Sequence, residues 1–324
     1  MVFLSHGVTA LETLRAGVDL FFVLSGFLIG RIYLRSQLDA HGQPGSFTLW
    51  GFWSARWFRT LPPYLTALAL FALLQLVFHK EAVHLRYVLF LQNYLGMDGF
   101  VPSWSLCVEE HFYLALPLLG GLTLWLLPRR SLLWLLPLAA LIPQALRLVA
   151  WHRGELTYGW YWRSHLHCEG MVLGVWLAYL FVDRRDLWDR LRGAALALSV
   201  LPVGMLAYEQ MHPVESMSVQ VVVFLVYAVG FAAWVRVLYD LRWEPRFAPA
   251  RLVKRAVQGL ALASYSIYLV HTVIFIDFRV LIEGMHRGPL KTLLVLAVAL
   301  AGSTIFYFCV ERPTIALRAR VLKS

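Results

Sequence analysis

The strongest indication of the fold is an apolar run, which from Gly17 to Leu34 reads GVDLFFVLSGFLIGRIYL. An α-helix rises about 1.5 Å per residue, so roughly 20 apolar residues cross the ~30 Å hydrocarbon layer of a bilayer. This run has nearly that length, with Asp19 close to its start and Arg31 close to its end. We therefore interpret it as a transmembrane helix.

Similar apolar runs recur along the whole chain of 324 residues. Their lengths predict membrane spans at residues 17–34, 61–79, 104–127, 131–150, 168–182, 194–210, 217–237, 258–278 and 291–311. We expect an all-α fold, a polytopic transmembrane helix bundle of about nine to ten spans. The bundle is expected to form a single domain over residues 1–324.

The composition agrees with a membrane protein and excludes two other classes. Hydrophobic residues make up 60% of the chain and charged residues 15%, against about 45–50% and about 25% in soluble domains. This apolar content excludes intrinsic disorder. The chain has only three cysteines, in or beside apolar runs, which excludes a disulfide scaffold.

The formal net charge of +10 predicts an orientation in the membrane rather than nucleic-acid binding. Lys and Arg occur in short clusters between apolar runs, a pattern typical of helix ends at a cytoplasmic surface. If the span at 17–34 runs from outside to inside, most of the 29 basic residues fall on the inner side. The C-terminus is then predicted to be cytoplasmic.

A series of motifs in fixed order resembles the acyltransferase-three family of integral membrane O-acyltransferases. The motifs are GVDLFFVLSGFLI at 17–29, RWFRTLPPY at 56–64, SWSLCVEEHFY at 103–113, SHLHCEGMVLG at 164–174, SYSIYLVH at 264–271 and YFCVERP at 307–313. The resemblance implies a multi-pass enzyme of the bacterial cytoplasmic (inner) membrane. Its donor would be cytosolic acyl-CoA, most simply acetyl-CoA, and its acceptor a hydroxyl of a glycan, glycolipid or glycoside. It implies no tightly bound cofactor.

The resemblance also assigns His6 as the expected catalytic residue. The family's first helix carries an Arg followed eleven residues later by a His, and His6 occupies the matching place shortly before the motif that begins at Gly17. The Arg would fall before Met1, so we expect the chain to start inside its first helix; alternatively, the first residues lie at the outer surface. Imidazole can accept a proton near neutral pH, either as a direct base or as an acyl carrier.

Three carboxylates are predicted to lie within the apolar spans, namely Asp19, Glu109 and Glu110. Buried acids in a bilayer are expensive and usually face a polar cavity or a partner. Glu109 or Glu110 could orient the ring of His6, as could Asp19. Alternatives remain open: Asp19 could cap its helix, and the glutamates could form a structural ion pair with a residue such as Arg147.

Arg56 and Arg59 are three residues apart and share one helix face. Guanidinium groups bind phosphates through paired hydrogen bonds, and the resemblance marks this pair as functional, so we predict that it binds the donor acyl-CoA. Topological anchoring at the inner surface is the alternative. For Arg31 and Arg35, which could join the pair, anchoring is the preferred interpretation.

Other polar residues favour structural roles. The i, i+2 spacing of His165, His167 and Glu169 does not place metal ligands on one helix face, so no metal site is predicted. His271 is interpreted as a buried, hydrogen-bonded structural residue. The step at 311–313 is expected to end the last helix, because Pro disfavours helix in the preceding residue.

These assignments predict an acyltransferase in which a donor from the cytosol meets an acceptor from outside within the bundle. A rival interpretation from another class is a transporter or flippase for a lipid-linked sugar, since buried acids and histidines also mark proton-coupled transport. The inverted repeats of many such transporters are not evident here. An inactive scaffold is a third interpretation.

Overall fold

The computed structural model describes residues 16–37, 47–79, 83–97, 99–155, 162–211, 217–245, 247–281 and 289–321. Within these ranges every regular element is a helix, so the all-α prediction is confirmed. The α-helices are α1 (Gly17–Ser36), α2 (Leu49–Leu74), α3 (Gln92–Leu95), α4 (Ser103–Leu126), α5 (Leu132–Ala140), α6 (Ile142–His152), α7 (Glu169–Asp183), α8 (Arg185–Leu198), α9 (Leu201–Met211), α10 (Met217–Leu238), α11 (Ala248–Leu262), α12 (Ser264–Leu281), α13 (Pro289–Phe306) and α14 (Arg312–Val321).

Six helical segments in the described part of the chain are long and apolar enough to cross a membrane. They are Gly17–Ser36, Leu49–Phe78, Arg129–His152, Arg185–Glu209, Val221–Leu238 and Leu293–Leu317. The predicted span at 104–127 is also helical, as α4, and α7 covers the short span at 168–182. The predicted span at 258–278 is divided at Ala263, where α11 ends and α12 follows.

The chain forms two compact units, each of which is described by itself. The first, called here the α1 unit, comprises Thr13–Phe52 and Trp104–Leu241. In its centre α1 and α7 touch through small residues: a Cβ at Gly26 would lie 2.6 Å from Met171 Cα, and one at Gly174 would lie 2.6 Å from Phe27 N. Such closeness needs glycine, as in the small-xxx-small interfaces of membrane helices.

Polar contacts join the C-terminal ends of α1 and α7 to the turn after α4. The Arg129 guanidinium donates to both oxygens of Asp183, at 2.7 and 3.1 Å, and to the Leu34 carbonyl at 2.9 Å. The C-terminal ends of α1 and α7 therefore lie beside the turn that follows α4. Alternating helix directions predict this arrangement, because all three segments belong to the same predicted membrane surface.

The second unit, the α2 unit, comprises the described residues of Trp53–Ser103 and Arg242–Ser324. Aromatic residues hold its helices: Tyr64 donates to the Tyr87 carbonyl at 2.8 Å, and Tyr265 donates to the Thr60 carbonyl at 2.9 Å. The latter bond joins the start of α12 to the first half of α2.

The step at 311–313 does not end the last helix, so that prediction is wrong. A π-helical turn over Tyr307–Glu311 follows α13, and α14 begins directly at Arg312. Pro313 is the second residue of α14, directly after the π-helical turn. The helical path of Leu293–Leu317 therefore continues through the proline.

Candidate functional site

One buried hydrogen bond joins the starts of α1 and α7. His167 Nε2 donates to Asp19 Oδ1 at 2.9 Å, and both side chains are almost fully buried. Asp19 lies in the first turn of α1, but that turn has no side-chain cap. The prediction that this acid finds a buried partner is confirmed, and the capping alternative is not the role that the structure shows.

A second buried ion pair lies beside the first. Arg147 on α6 donates to Glu169 Oε1 at 2.5 Å and to Gln144 Oε1 at 3.0 Å, and it also donates to the Leu166 carbonyl. Arg147 is 0% exposed and Glu169 is 1% exposed. The partner of Arg147 is thus Glu169 on α7, which corrects the sequence-based alternative that paired Arg147 with Glu109 or Glu110.

The two pairs form one group, called here the histidine cluster, of Asp19, Arg147, His167 and Glu169. Arg147 and Glu169 act electrostatically on Asp19, so the four side chains share one region of the α1 unit. The i, i+2 spacing of His167 and Glu169 is not helical here, because a 3-10 turn over Ser164–Leu166 precedes α7. That turn directs His167 to α1 and Glu169 to α6.

Aromatic rings surround the imidazole of His167. The ring centroids of Phe224, Trp104 and Phe22 lie 4.2, 5.3 and 5.5 Å from that of His167. The Arg147 guanidinium also lies over Phe224, 5.1 Å from the ring centroid. The cluster is therefore a polar site in an apolar, water-poor setting, where hydrogen bonds and charges act more strongly than in water.

The predicted acids of α4 are buried in the same unit. Glu109 is 3% exposed and Glu110 is 5% exposed, six and seven residues after the helix start at Ser103, or about 10 Å along it. Trp104, on the same helix, touches the ring of His167. The start of α4 thus packs against the histidine cluster through Trp104.

A further histidine contact fixes the loop that carries His167. His111 Nδ1 on α4 lies 2.8 Å from Ser164 Oγ. In the same loop, burial and the charge of Arg163 lower the pKa of His165. Burial and the Arg163 charge thus favour the neutral form of His165 in the loop that His111 contacts.

The predicted donor residues lie in the α2 unit, on α2. Arg59 is exposed and Arg56 is partly buried, and they lie one turn apart on the same helix. Arg59 acts electrostatically on Glu311, whose Oε2 accepts from the Ser266 hydroxyl at 2.5 Å and from the Ser266 backbone N–H at 3.1 Å. The motif at 56–64 and the motif at 307–313 therefore lie near one another in the α2 unit.

The remaining sequence-based assignments have different outcomes. His271 is buried, and its Nδ1–H donates to the Tyr268 and Ile267 carbonyls at 2.7 and 3.0 Å, which agrees with a structural role. His6 lies outside the described residues, so its assignment stays a prediction. Arg56 and Glu109 belong to different units, and their predicted roles also stay predictions.

Sequence reasoning missed the pairing of His167 with Asp19. The two residues are 148 positions apart, and His167 was considered only as a possible metal ligand. The sequence did contain an indication of this contact. His167 lies three residues before Gly170, and Gly170 and Gly174 mark the face of α7 that touches α1. A side chain just before that face must lie near the start of α1.

Comparisons with known proteins agree with the motif-based resemblance. A model of the acyltransferase-3 family, described as an acyltransferase domain, matches residues 1–308. O-acetyltransferase OatA of Staphylococcus aureus strain NCTC 8325 is 25% identical over 187 residues, which are 51% of this chain and 30% of that protein. Peptidoglycan O-acetyltransferase OatA of Listeria monocytogenes serovar 1/2a is 35% identical over 120 residues, 31% of this chain and 19% of that protein.

The match to these relatives is partial. It covers less than a third of the length of either relative. No solved structure matches the chain.

Proposed function

The chain belongs to the acyltransferase-3 family, and on this premise we propose that it is a multi-pass membrane O-acyltransferase. It transfers an acetyl group from cytosolic acetyl-coenzyme A to a hydroxyl of a glycan, glycolipid or glycoside. The observation that carries the proposal is the histidine cluster. Four ionisable side chains inside an apolar helical unit are costly unless they serve a polar function.

The reaction requires a group that removes a proton. As the acceptor hydroxyl attacks the thioester carbonyl, a C–O bond forms, the C–S bond breaks, and coenzyme A leaves as a thiol that takes up one proton. We assign the base or acyl carrier to His6, with Glu109 or Glu110 as its orienting partner. An imidazole with a pKa near 6.5 can accept and return a proton at neutral pH.

The histidine cluster supports this chemistry at the acceptor end. The Asp19 carboxylate holds the His167 ring by a 2.9 Å hydrogen bond, and three aromatic rings enclose it. Aromatic surfaces beside hydrogen-bonding groups suit sugar binding, since sugars present both apolar and hydroxyl faces. We therefore propose that Asp19 and His167 line the pocket for the acceptor.

Arg56 and Arg59 are assigned to the donor. Their guanidinium groups suit the phosphates of coenzyme A, which resides in the cytosol. The localisation in a bacterial cytoplasmic membrane, with a cytoplasmic C-terminus, belongs to the same proposal.

A thioester assay tests the proposal. The purified chain, in membranes that contain candidate acceptors, should release free coenzyme A thiol from acetyl-coenzyme A and label the acceptor with acetyl. His6→Ala should abolish transfer, whereas His152→Ala, at an exposed histidine on α6, should leave it unchanged. Sugar movement across the membrane without thioester loss would overturn the proposal in favour of a transporter.

A second comparison tests the donor assignment. Arg56→Gln removes one guanidinium and should raise the KM for acetyl-coenzyme A by about 10- to 150-fold, because a charge-assisted hydrogen bond contributes about 1.5–3 kcal/mol. Arg251→Gln, at an exposed arginine on α11, is the control with the same loss of charge. Equal KM values for the two variants would remove Arg56 from the donor site.

A further inference from the structure

Arginine side chains converge on one aromatic ring at the far end of the α1 unit, away from the histidine cluster. Three guanidinium carbons lie 4.6, 4.7 and 5.9 Å from the centroid of Phe181; they belong to Arg31, Arg185 and Arg35, respectively. These three residues are called here the arginine cluster. Along α1, Arg31 is twelve residues from Asp19, or about 18 Å.

Three of the surrounding arginines form ion pairs with acidic side chains. Arg129 pairs with Asp183, Arg184 pairs with Asp186, and Arg236 pairs with Asp240, each with a bond of about 3 Å or less. The charges of these three arginines are therefore neutralised by neighbouring acidic side chains.

The arginine cluster itself is not neutralised in this way. Within the described ranges, Arg31 and Arg35 have no acidic partner, and Arg31 Nε is buried without a hydrogen bond. Arg185 reaches only Asp189, at 3.5 Å, and Asp189 is also 3.8 Å from Arg236. Three like charges placed around one ring repel one another, and a bound anion would offset that repulsion.

The aromatic contacts leave the arginines ready to bind an anion. A guanidinium over a ring is held by its flat face, while its N–H groups point outward in its own plane. Arg31 is held in this way by Phe27 and Tyr239 as well, at 5.4 and 5.5 Å. Because the side chains are already ordered, binding a ligand costs little additional side-chain entropy.

The ligand chemistry that fits is a phosphate group. Paired N–H donors of arginine match the oxygens of phosphate, and three arginines can neutralise it. We propose that Arg31, Arg35 and Arg185 form a phosphate-binding site that is separate from Arg56 and Arg59. This proposal does not depend on the acyltransferase activity.

Two sources could supply the phosphate, the headgroup of an anionic phospholipid or a soluble phosphate-bearing molecule such as coenzyme A. The surface of α1 favours the lipid, because Leu28 and Ile32 are about half exposed, at 50% and 52%, in one stripe that leads toward Arg35. In a membrane such a stripe faces acyl chains. Basic pockets between helices at the cytoplasmic surface bind anionic lipid headgroups.

The test uses variants that change only exposed side chains. Arg35→Gln with Arg185→Gln removes two charges from the cluster, and Arg190→Gln with Arg192→Gln removes two exposed charges from α8 outside it. Binding is measured with the purified whole chain in neutral detergent. Phosphatidylglycerol is titrated with native mass spectrometry in one arm, and coenzyme A by equilibrium dialysis in the other.

The site is supported if the first pair of substitutions weakens binding at least tenfold relative to the second, which corresponds to about 1.4 kcal/mol. A loss in the phosphatidylglycerol arm assigns the site to a lipid, and a loss in the coenzyme A arm assigns it to a soluble ligand. Equal binding by both variants in both arms overturns the proposal. If the double variant does not elute as the wild type does, Arg35→Gln alone, compared with Arg190→Gln, gives the same decision.

Discussion

The contact between α1 and α7 leads to a sharp prediction about stability. In Gly174→Ala the new Cβ would lie 2.6 Å from the backbone nitrogen of Phe27 and 2.8 Å from the carbonyl carbon of Gly26, where ordinary contacts begin at 3.4 Å. The nearest atoms are backbone atoms, which cannot rotate away. The two helices would therefore have to separate by at least about 0.8 Å at this point, the difference between 3.4 and 2.6 Å, because the Val23 carbonyl oxygen lies closer still.

A matched control isolates the cost of this separation. A Cβ added at Gly193 on α8 would meet no atom of the described residues within 4 Å, so Gly193→Ala adds the same methyl group to open space. Both substitutions gain the same helix propensity, about 1 kcal/mol. The difference between the variants is therefore the packing cost alone, about 1–3 kcal/mol for overpacking.

Thermal unfolding of the detergent-purified variants measures this difference. At roughly 2–4 °C per kcal/mol for a unit of this size, Gly174→Ala should melt about 2 to 12 °C below Gly193→Ala. Transfer activity should fall with it, because α1 and α7 also carry the two partners of the Asp19–His167 hydrogen bond. Equal melting temperatures for the two variants would refute the close backbone contact.

Three further predictions concern single side chains. Glu169→Gln leaves the buried charge of Arg147 without its counter-ion and should destabilise the protein by about 3–5 kcal/mol, measured by denaturant unfolding; no loss would show that the pair is not formed. Arg129→Gln breaks a partly exposed bond to Asp183 and should cost about 1 kcal/mol or less in the same measurement, so a cost as large as that of Glu169→Gln would contradict the burial difference. His165→Gln tests a pH effect. Burial lowers the pKa of His165 in the folded protein, so the unfolded state binds the proton more readily. The stability of the wild type should therefore fall as the pH drops through about 6.5. The variant should lose less stability than the wild type between pH 7.5 and pH 5.5, and equal losses would exclude His165 as the cause.

The elements of the fold were predictable where hydrophobic length alone is decisive. The run at 17–34 became α1, and the run at 217–237 became α10, with ends within a few residues. Lipid imposes this, because a backbone in hydrocarbon must satisfy its hydrogen bonds within a helix. Helix breaks such as that at Ala263 were missed, because apolar composition continues across them.

The candidate site was predictable only in part. The burial of Asp19, Glu109 and Glu110 follows from their depth in apolar runs, and the structure agrees. The partners do not follow from depth, since Arg147 was considered for the glutamates of α4 and instead binds Glu169. Several buried acids lie at similar depth in the predicted spans. Which of them pairs with Arg147 depends on the rotation of each helix about its axis.

Length, apolar content and the order of motifs were enough to establish an all-helical membrane protein of the acyltransferase-3 family, because these properties depend on residues near one another along the chain. The pairing of the ionisable side chains, in contrast, depends on how the helices pack. His167 and Asp19 are separated by 148 residues, and their contact exists because Gly26 and Gly174 let α1 and α7 approach backbone to backbone. Hydrogen bonds act over about 3 Å, so pairing depends on helix contacts that no local pattern specifies.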